Sequence, residues 1–254
     1  MVDQNSALHS EPGQPDCPSF RIDWGLQGLL RLIDSYDFQT VLDVGSGGGD
    51  HARLLRHLGK EVVTVDLHRT ADICSDFMDA SIDRTFDVVW CSHVIEHQRN
   101  VGAFLDKLRR CLAPDGILAI SLPIHPANRM VAGHVSNWNA WLLCYNLVLA
   151  GLDCAEARYV TTVDLSLIVR NRPALARDVG AVAGSGADLD PAHGDDPFSA
   201  IAPFFPFPVS QGAVAPLDEM NWGGFNYLMP SGLPSFRLHS RFLPPEGLLI
   251  NGGA

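Results

Sequence analysis

Residues 93–97 read His93-Val94-Ile95-Glu96-His97, two imidazoles and a carboxylate at spacings of three and four. If this segment coils helically, His93, Glu96 and His97 share one face. Such a set can bind a metal ion or move a proton. Alternatively, Glu96 and His97 only orient their own loop through hydrogen bonds. A second chemical signal lies upstream, in Val41-Leu42-Asp43-Val44-Gly45-Ser46-Gly47-Gly48-Gly49. Its glycines permit a sharp turn and close approach of a ligand to the backbone, and the following helix start offers unpaired N–H groups. Gly47-x-Gly49-x-x-Ala52 also satisfies the dinucleotide fingerprint in its letters, with Asp66 at a fitting distance. The register argues for another ligand: a carboxylate at Asp43 repels a pyrophosphate and suits a group carrying an ammonium. Asp66, at the end of the next apolar run, is placed to accept hydrogen bonds from two ribose hydroxyls.

These residues need a scaffold, and the surrounding pattern supplies one. Residues 24–36 have helical spacing of apolar positions, and 51–58 and 103–112 read the same way. Apolar and β-branched runs at 40–44, 61–65, 86–91 and 116–122 alternate with those helices. That order predicts a doubly wound, mostly parallel α/β sheet. Residues 139–152 form a further expected helix, and 158–161 with 164–170 an antiparallel closing hairpin. The expected organisation is a flexible lead over 1–20, a doubly wound domain over 21–170, a linker over 171–197 and an irregular aromatic-rich tail over 198–254. The tail either packs on the domain or forms a lid, in which Asn221 and Trp222 would take part.

Composition narrows the partners. Hydrophobic residues make up 46% of the chain, enough for a substantial core. The net charge of -11 disfavours phosphate backbones and anionic lipid surfaces, so nucleic acid and membranes are not expected partners. The longest apolar run, 141–152, is too short to span a bilayer. The six cysteines lack metal-site spacing and fit a reducing cytoplasm, and the amino-terminal residues lack a signal-peptide core. A cytoplasmic protein of undetermined oligomeric state is expected.

Taken together, the glycine loop, Asp66, Ser75-Asp76-Phe77, the run Phe86 to Ser92 and Leu112-Ala113-Pro114-Asp115-Gly116 resemble the motif series of class I S-adenosylmethionine-dependent methyltransferases. Asp115 replaces a glycine of that family's turn. The resemblance covers about 24–170 and implies a Rossmann-like sheet that binds S-adenosylmethionine and releases S-adenosylhomocysteine. It implies cofactor contacts from Asp43, Gly45, Ser46, Gly47, Asp66, Leu67, Asp76, Phe77 and Ser92. The His93/Glu96/His97 set resembles the Glu-x-x-Glu-His metal site of ubiquinone-biosynthesis and small-RNA O-methyltransferases, with His93 in place of a Glu. By that likeness His134 is a further ligand of a divalent metal, and His125 is its rival.

Methyl transfer from a sulfonium is an in-line displacement governed by positioning. Histidines at the methyl end favour an oxygen acceptor, with His97, His93 and Glu96 as catalytic candidates. A small polar metabolite, carbohydrate or natural product is the expected acceptor, with Trp138, Trp141 and Tyr145 as candidate stacking surfaces. The alternatives are a methyltransferase acting on nucleic acid or protein, and a non-catalytic cofactor-binding protein.

Overall fold

The computed structural model describes residues 19–125, 129–161, 164–172, 201–210, 236–238 and 248–252. Its elements run β1 (Ser19–Ile22), α1 (Leu26–Ser35), β2 (Thr40–Val44), α2 (Asp50–His57), β3 (Glu61–Asp66), β4 (Ile73–Cys74), β5 (Phe86–Ser92), α3 (Val101–Arg110), β6 (Leu112–Pro123), α4 (Ala140–Leu149), β7 (Leu152–Thr161), β8 (Asp164–Asn171), β9 (Phe236–Leu238) and β10 (Leu248–Gly252). Seven strands form one sheet in the order β4-β3-β2-β5-β6-β8-β7. The first five of these are parallel, while β8 runs antiparallel to β6 and β7 antiparallel to β8. This is the doubly wound Rossmann-like sheet with a terminal antiparallel hairpin.

Alternation along the buried strands divides the core into two layers. Val41, Val88, Trp90, Ile117 and Ala119 meet α1 and α2 on one face. Leu42, Val44, Val89, Cys91, Leu118 and Ile120 meet α3 and α4 on the other. Asn100 and Asn139 start α3 and α4 by accepting the backbone N–H of Ala103 and Leu142. Strand order reverses between β2 and β5, so a crevice for ligands opens at their carboxyl ends. The glycine loop after β2 and the His93–His97 segment after β5 both lie there.

Two boundaries differ from expectation. The expected flexible lead extends to residue 20, yet β1 begins at Ser19 and pairs in parallel with β10, which pairs in turn with β9. Ile22 is fully buried, so this strand is tied down by its own core residue. The boundary expected at 170 falls inside β8, whose Asn171 is buried and donates to the Ala113 carbonyl. Residues 201–210 pack on the domain, with Ile201, Phe205, Phe207 and Val209 in the α4-side core. Asn221 and Trp222, and with them the lid reading, lie outside the described residues.

Candidate active site

The glycine loop leaves β2 at Gly45, whose N–H donates to the Val65 carbonyl at 2.8 Å. Gly45 has φ 76, and a Cβ there would lie 2.1 Å from Val94 Cγ2. Glycine is required at this point for both backbone and space. Gly47 also has positive φ, but a Cβ there would meet nothing within 4 Å. The loop is therefore pinned at its base and open at its tip.

Around this opening the expected cofactor residues fall into two groups. Asp43 is buried, and its Oδ2 has no partner; Ser46 Oγ is likewise buried and unpartnered. Burial, reinforced by the charge of Asp66, pushes the Asp43 carboxyl up to about 7, with Arg56 opposing. Asp66 accepts the N–H groups of Gly47 at 2.8 Å and His68 at 2.7 Å, which holds its carboxylate at the loop. Leu67 beside it is 73% exposed. Asp76 and Phe77 are placed differently. The Asp76 carboxylate accepts the Met78 N–H in a local turn, and the Phe77 ring is buried edge-on to Phe104. Both have partners within the protein.

After β5 the His-x-x-Glu-His segment does not form one helical face. His93 adopts φ 57, and only Ile95–His97 coil, as a single tight turn. Of the four expected ligands, Glu96, His97 and His134 are brought together and His93 is not among them. His93 Nε2 lies 3.1 Å from Asp164 Oδ1, and its Nδ1 lies 3.1 Å from Ser92 Oγ. Glu96 points inward, 1% exposed, with neither carboxylate oxygen hydrogen-bonded. Burial raises its pKa, a push opposed by its own backbone N–H and by the nearby His93 and His97.

The structure instead joins Glu96 and His97 to the loop after β6. His97 Nδ1 lies 2.9 Å from the Gly133 carbonyl, which can only accept, so Nδ1 carries a proton and, in the neutral ring, Nε2 is bare. That Nε2 is 3.8 Å from Glu96 Oε1. The Glu96 carbonyl in turn accepts the Val135 N–H at 2.8 Å. His134 stands edge-on to His97 at 4.9 Å between ring centres and stacks on His125 at 5.3 Å. Burial, then the neighbouring His97 and His125, lower the His134 pKa and favour its neutral ring. Glu96, His97 and His134 each offer one ligand atom, all within 4.8 Å of one another. His134 Nδ1 and His125 Nε2 are buried without partners. Beside them Arg129, Met130, Val131 and Val135 line a groove of about 380 Å³.

The aromatic residues expected to stack on an acceptor have other partners. Trp138 is 6% exposed and donates to Ser136 Oγ. Trp141 stacks on Phe205 at 5.3 Å, and Tyr145 lies tilted to the same ring at 6.4 Å. These rings fasten 201–210 to α4.

Sequence reading missed Trp24, His51 and Asp164. Trp90 Nε1 donates to His51 Nδ1, which leaves His51 Nε2–H to donate to the Trp24 carbonyl at 2.9 Å. Asp164 Oδ2 accepts the Gly25 N–H at 2.8 Å. For Asp164 one signal was available, since the first residue of a returning antiparallel strand lies at the carboxyl edge of the parallel ones. For Trp24 and His51 there was none.

Residues 26–148 match a family model described as a methyltransferase domain. A ubiquinone biosynthesis O-methyltransferase of Rickettsia typhi is 36% identical over 117 residues, covering 40% of this chain and 48% of that protein. A mitochondrial ubiquinone biosynthesis O-methyltransferase of Schizosaccharomyces pombe is 28% identical over 122 residues, covering 41% of this chain and 44% of that protein. The chain thus matches about half the length of these relatives. Among solved structures, the 1,6-didemethyltoxoflavin N1-methyltransferase of Burkholderia thailandensis, bound to S-adenosylhomocysteine, is 18% identical with a TM-score of 0.46 over 52% of this chain and 71% of that one.

Proposed function

We propose that the protein, whose residues 26–148 match a methyltransferase-domain family model, is an S-adenosylmethionine-dependent methyltransferase that transfers the cofactor's methyl group to a hydroxyl oxygen of a small molecule. The observation that carries this reading is the buried Asp43 carboxyl, its Oδ2 unpartnered, beside a glycine loop that is open at its tip. An orphaned buried acceptor calls for a cationic partner, and the ammonium of S-adenosylmethionine is one. Asp66 keeps lone pairs for the ribose hydroxyls, and exposed Leu67 offers an apolar surface to the adenine. Ser46, Gly45 and Gly47 line the turn between them.

The oxygen acceptor is supported by the donors at the other side of the crevice and by the relatives named as O-methyltransferases. Glu96, His97 and His134, with His125 behind, fit a divalent cation: a carboxylate with two free oxygens, a bare Nε2, and two unpartnered ring nitrogens. Imidazole-rich donors favour zinc or another transition metal over magnesium. When bound, the metal would lower the pKa of an acceptor hydroxyl. The protein's own part is to hold His97 in one tautomer through Gly133 and to keep Glu96 out of water. The groove at 129–137 would take the body of the acceptor. Its surroundings give no preference for a carbohydrate, and the acidic chain disfavours nucleic acid.

The test is transfer of labelled methyl from S-adenosylmethionine into a host-cell extract separated by size, with and without chelator. Label in the small-molecule fraction, lost on chelation, is expected. Label confined to macromolecules would overturn the acceptor class, and transfer indifferent to chelator would overturn the metal.

A further inference from the structure

The left-handed turn at His93 divides the His-x-x-Glu-His segment between two partners, and the arm facing Asp164 has a chemistry of its own. We infer that Asp164 is the positioning residue that makes His93 the proton acceptor in methyl transfer, an inference that rests on the methyltransferase reading above.

Asp164 opens β8 opposite Pro123, the last residue of β6, at the same sheet edge as the glycine loop. Its side chain is 13% exposed and that of His93 19%, so the pair is largely shielded from water. One carboxylate oxygen takes the Gly25 N–H, and the other faces His93 Nε2. A carboxylate only accepts, so in the neutral ring the imidazole proton sits on Nε2 and Nδ1 is the accepting nitrogen. Nδ1 faces the Ser92 hydroxyl, which donates to it. The ring cannot simply swing away. Trp24 lies 5.3 Å from it, and the Trp24 backbone is fixed by the His51 bond on one side and the Gly25 bond on the other.

A left-handed conformation at a non-glycine residue is retained only where the surroundings over-determine it. Here it holds a tautomer-fixed imidazole against Asp164, while His97 is held at the Gly133 carbonyl. In the step, the acceptor O–H bond breaks and its proton passes to the Ser92 oxygen as the Ser92 hydroxyl gives its own proton to His93 Nδ1. The O–C bond forms as the sulfonium C–S bond breaks, the electron pair staying on sulfur as the thioether. The resulting imidazolium faces the Asp164 carboxylate, and its proton then leaves to solvent.

Asp164→Asn tests this with little change of shape. Its amide oxygen still accepts from Gly25, but its NH₂ turns toward Nε2 and forces the ring proton onto Nδ1. The full chain, labelled with ¹⁵N-histidine and mixed with S-adenosylhomocysteine, is read by nitrogen-detected NMR, with His93 assigned from the signals lost in His93→Gln. The expected result is Nε2–H with bare Nδ1 in the wild type and loss of that preference in Asp164→Asn. Turnover in the labelled-methyl assay should fall about 10²- to 10⁴-fold, with S-adenosylhomocysteine affinity by calorimetry unchanged. Nδ1–H in the wild type overturns the inference without any variant, as does the same tautomer in both proteins. Failure of the broader reading is separate: it would appear as no calorimetric binding of S-adenosylhomocysteine to the wild type.

Discussion

The two sides of the crevice are built by different means. The proposed cofactor side, Asp43 to Asp66, is a run of neighbouring residues whose geometry follows from strand ends and glycines. The proposed acceptor side joins His93 to Asp164 and His97 to Gly133, partners 71 and 36 positions away. The difference teaches that a binding loop can be set by local backbone demands, whereas side-chain donors are grouped by whichever distant loops the sheet order brings to one edge.

The comparison breaks most severely where the sides touch, at Gly45. Gly45→Ala puts a methyl 2.1 Å from Val94 Cγ2 and forces a left-handed alanine, which alone costs roughly 1–2 kcal/mol. Both loops must shift, so calorimetry should show cofactor binding lost along with a clear fall in Tm. Gly47→Ala carries only the backbone cost, because its space is open, and should retain binding. Equal damage from the two would show that the sides are not coupled through Val94.

Next in size is Asp43→Asn. Removing one partner of a buried charge pair costs on the order of 2–5 kcal/mol, so S-adenosylhomocysteine affinity should fall at least about 30-fold. Without ligand the variant should be the more stable protein at pH 8. The sign follows from linkage: a carboxyl raised to about 7 contributes stability below its unfolded pKa, and that contribution is lost as pH rises through 7. An amide escapes the loss. Thermal melts at pH 5 and pH 8 check this, and a gap that does not widen with pH would refute it.

On the acceptor side, cobalt(II) added to the wild type should give a visible spectrum that Glu96→Gln and His134→Ala weaken. Losing a ligand should cost at least as much affinity as losing an outer partner, about 10- to 100-fold. His93→Gln should leave the spectrum unchanged, since His93 is turned toward Asp164. A cobalt site that needs His93 would restore the single-face geometry suggested by the spacing of residues 93–97.

That spacing marks the limit of what the sequence carried. The alternation of apolar runs located every strand of the parallel sheet except the two-residue β4, because burial on both faces demands continuous hydrophobicity. Asp43 lies in β2, Ser46 in the loop after it and Asp66 at the end of β3. Steps of three and four residues imply a helical face only if each residue is right-handed, and His93 is not. Its conformation answers to Asp164 and Trp24, which nothing near residue 93 encodes. The rings of Trp141 and Tyr145 were equally ambiguous, since an aromatic residue on an apolar helix suits a ligand or a neighbouring segment, and Phe205 was the neighbour.

A milder probe of the cofactor side is pH. Ammonium binding needs the Asp43 carboxylate, so the competent fraction should fall about tenfold per unit below pH 7. S-adenosylhomocysteine affinity should therefore climb from pH 5 to 7 and flatten above, and the climb should vanish in Asp43→Asn. A climb that survives in the variant would move the titrating group to the acceptor side.

The smallest effect is expected at Leu67. Because its side chain is 73% exposed, Leu67→Ala removes almost nothing from the folded protein's own packing, and Tm should not move. A cofactor that lays its adenine on this side chain would bury part of it. Partial burial of a leucine contributes on the order of 1 kcal/mol, so affinity should fall roughly fivefold. An unchanged affinity would place the adenine elsewhere, and the buried Phe77 ring would then have to move to meet it. That outcome would make the cofactor side, like the acceptor side, dependent on rearrangement and not on local backbone alone.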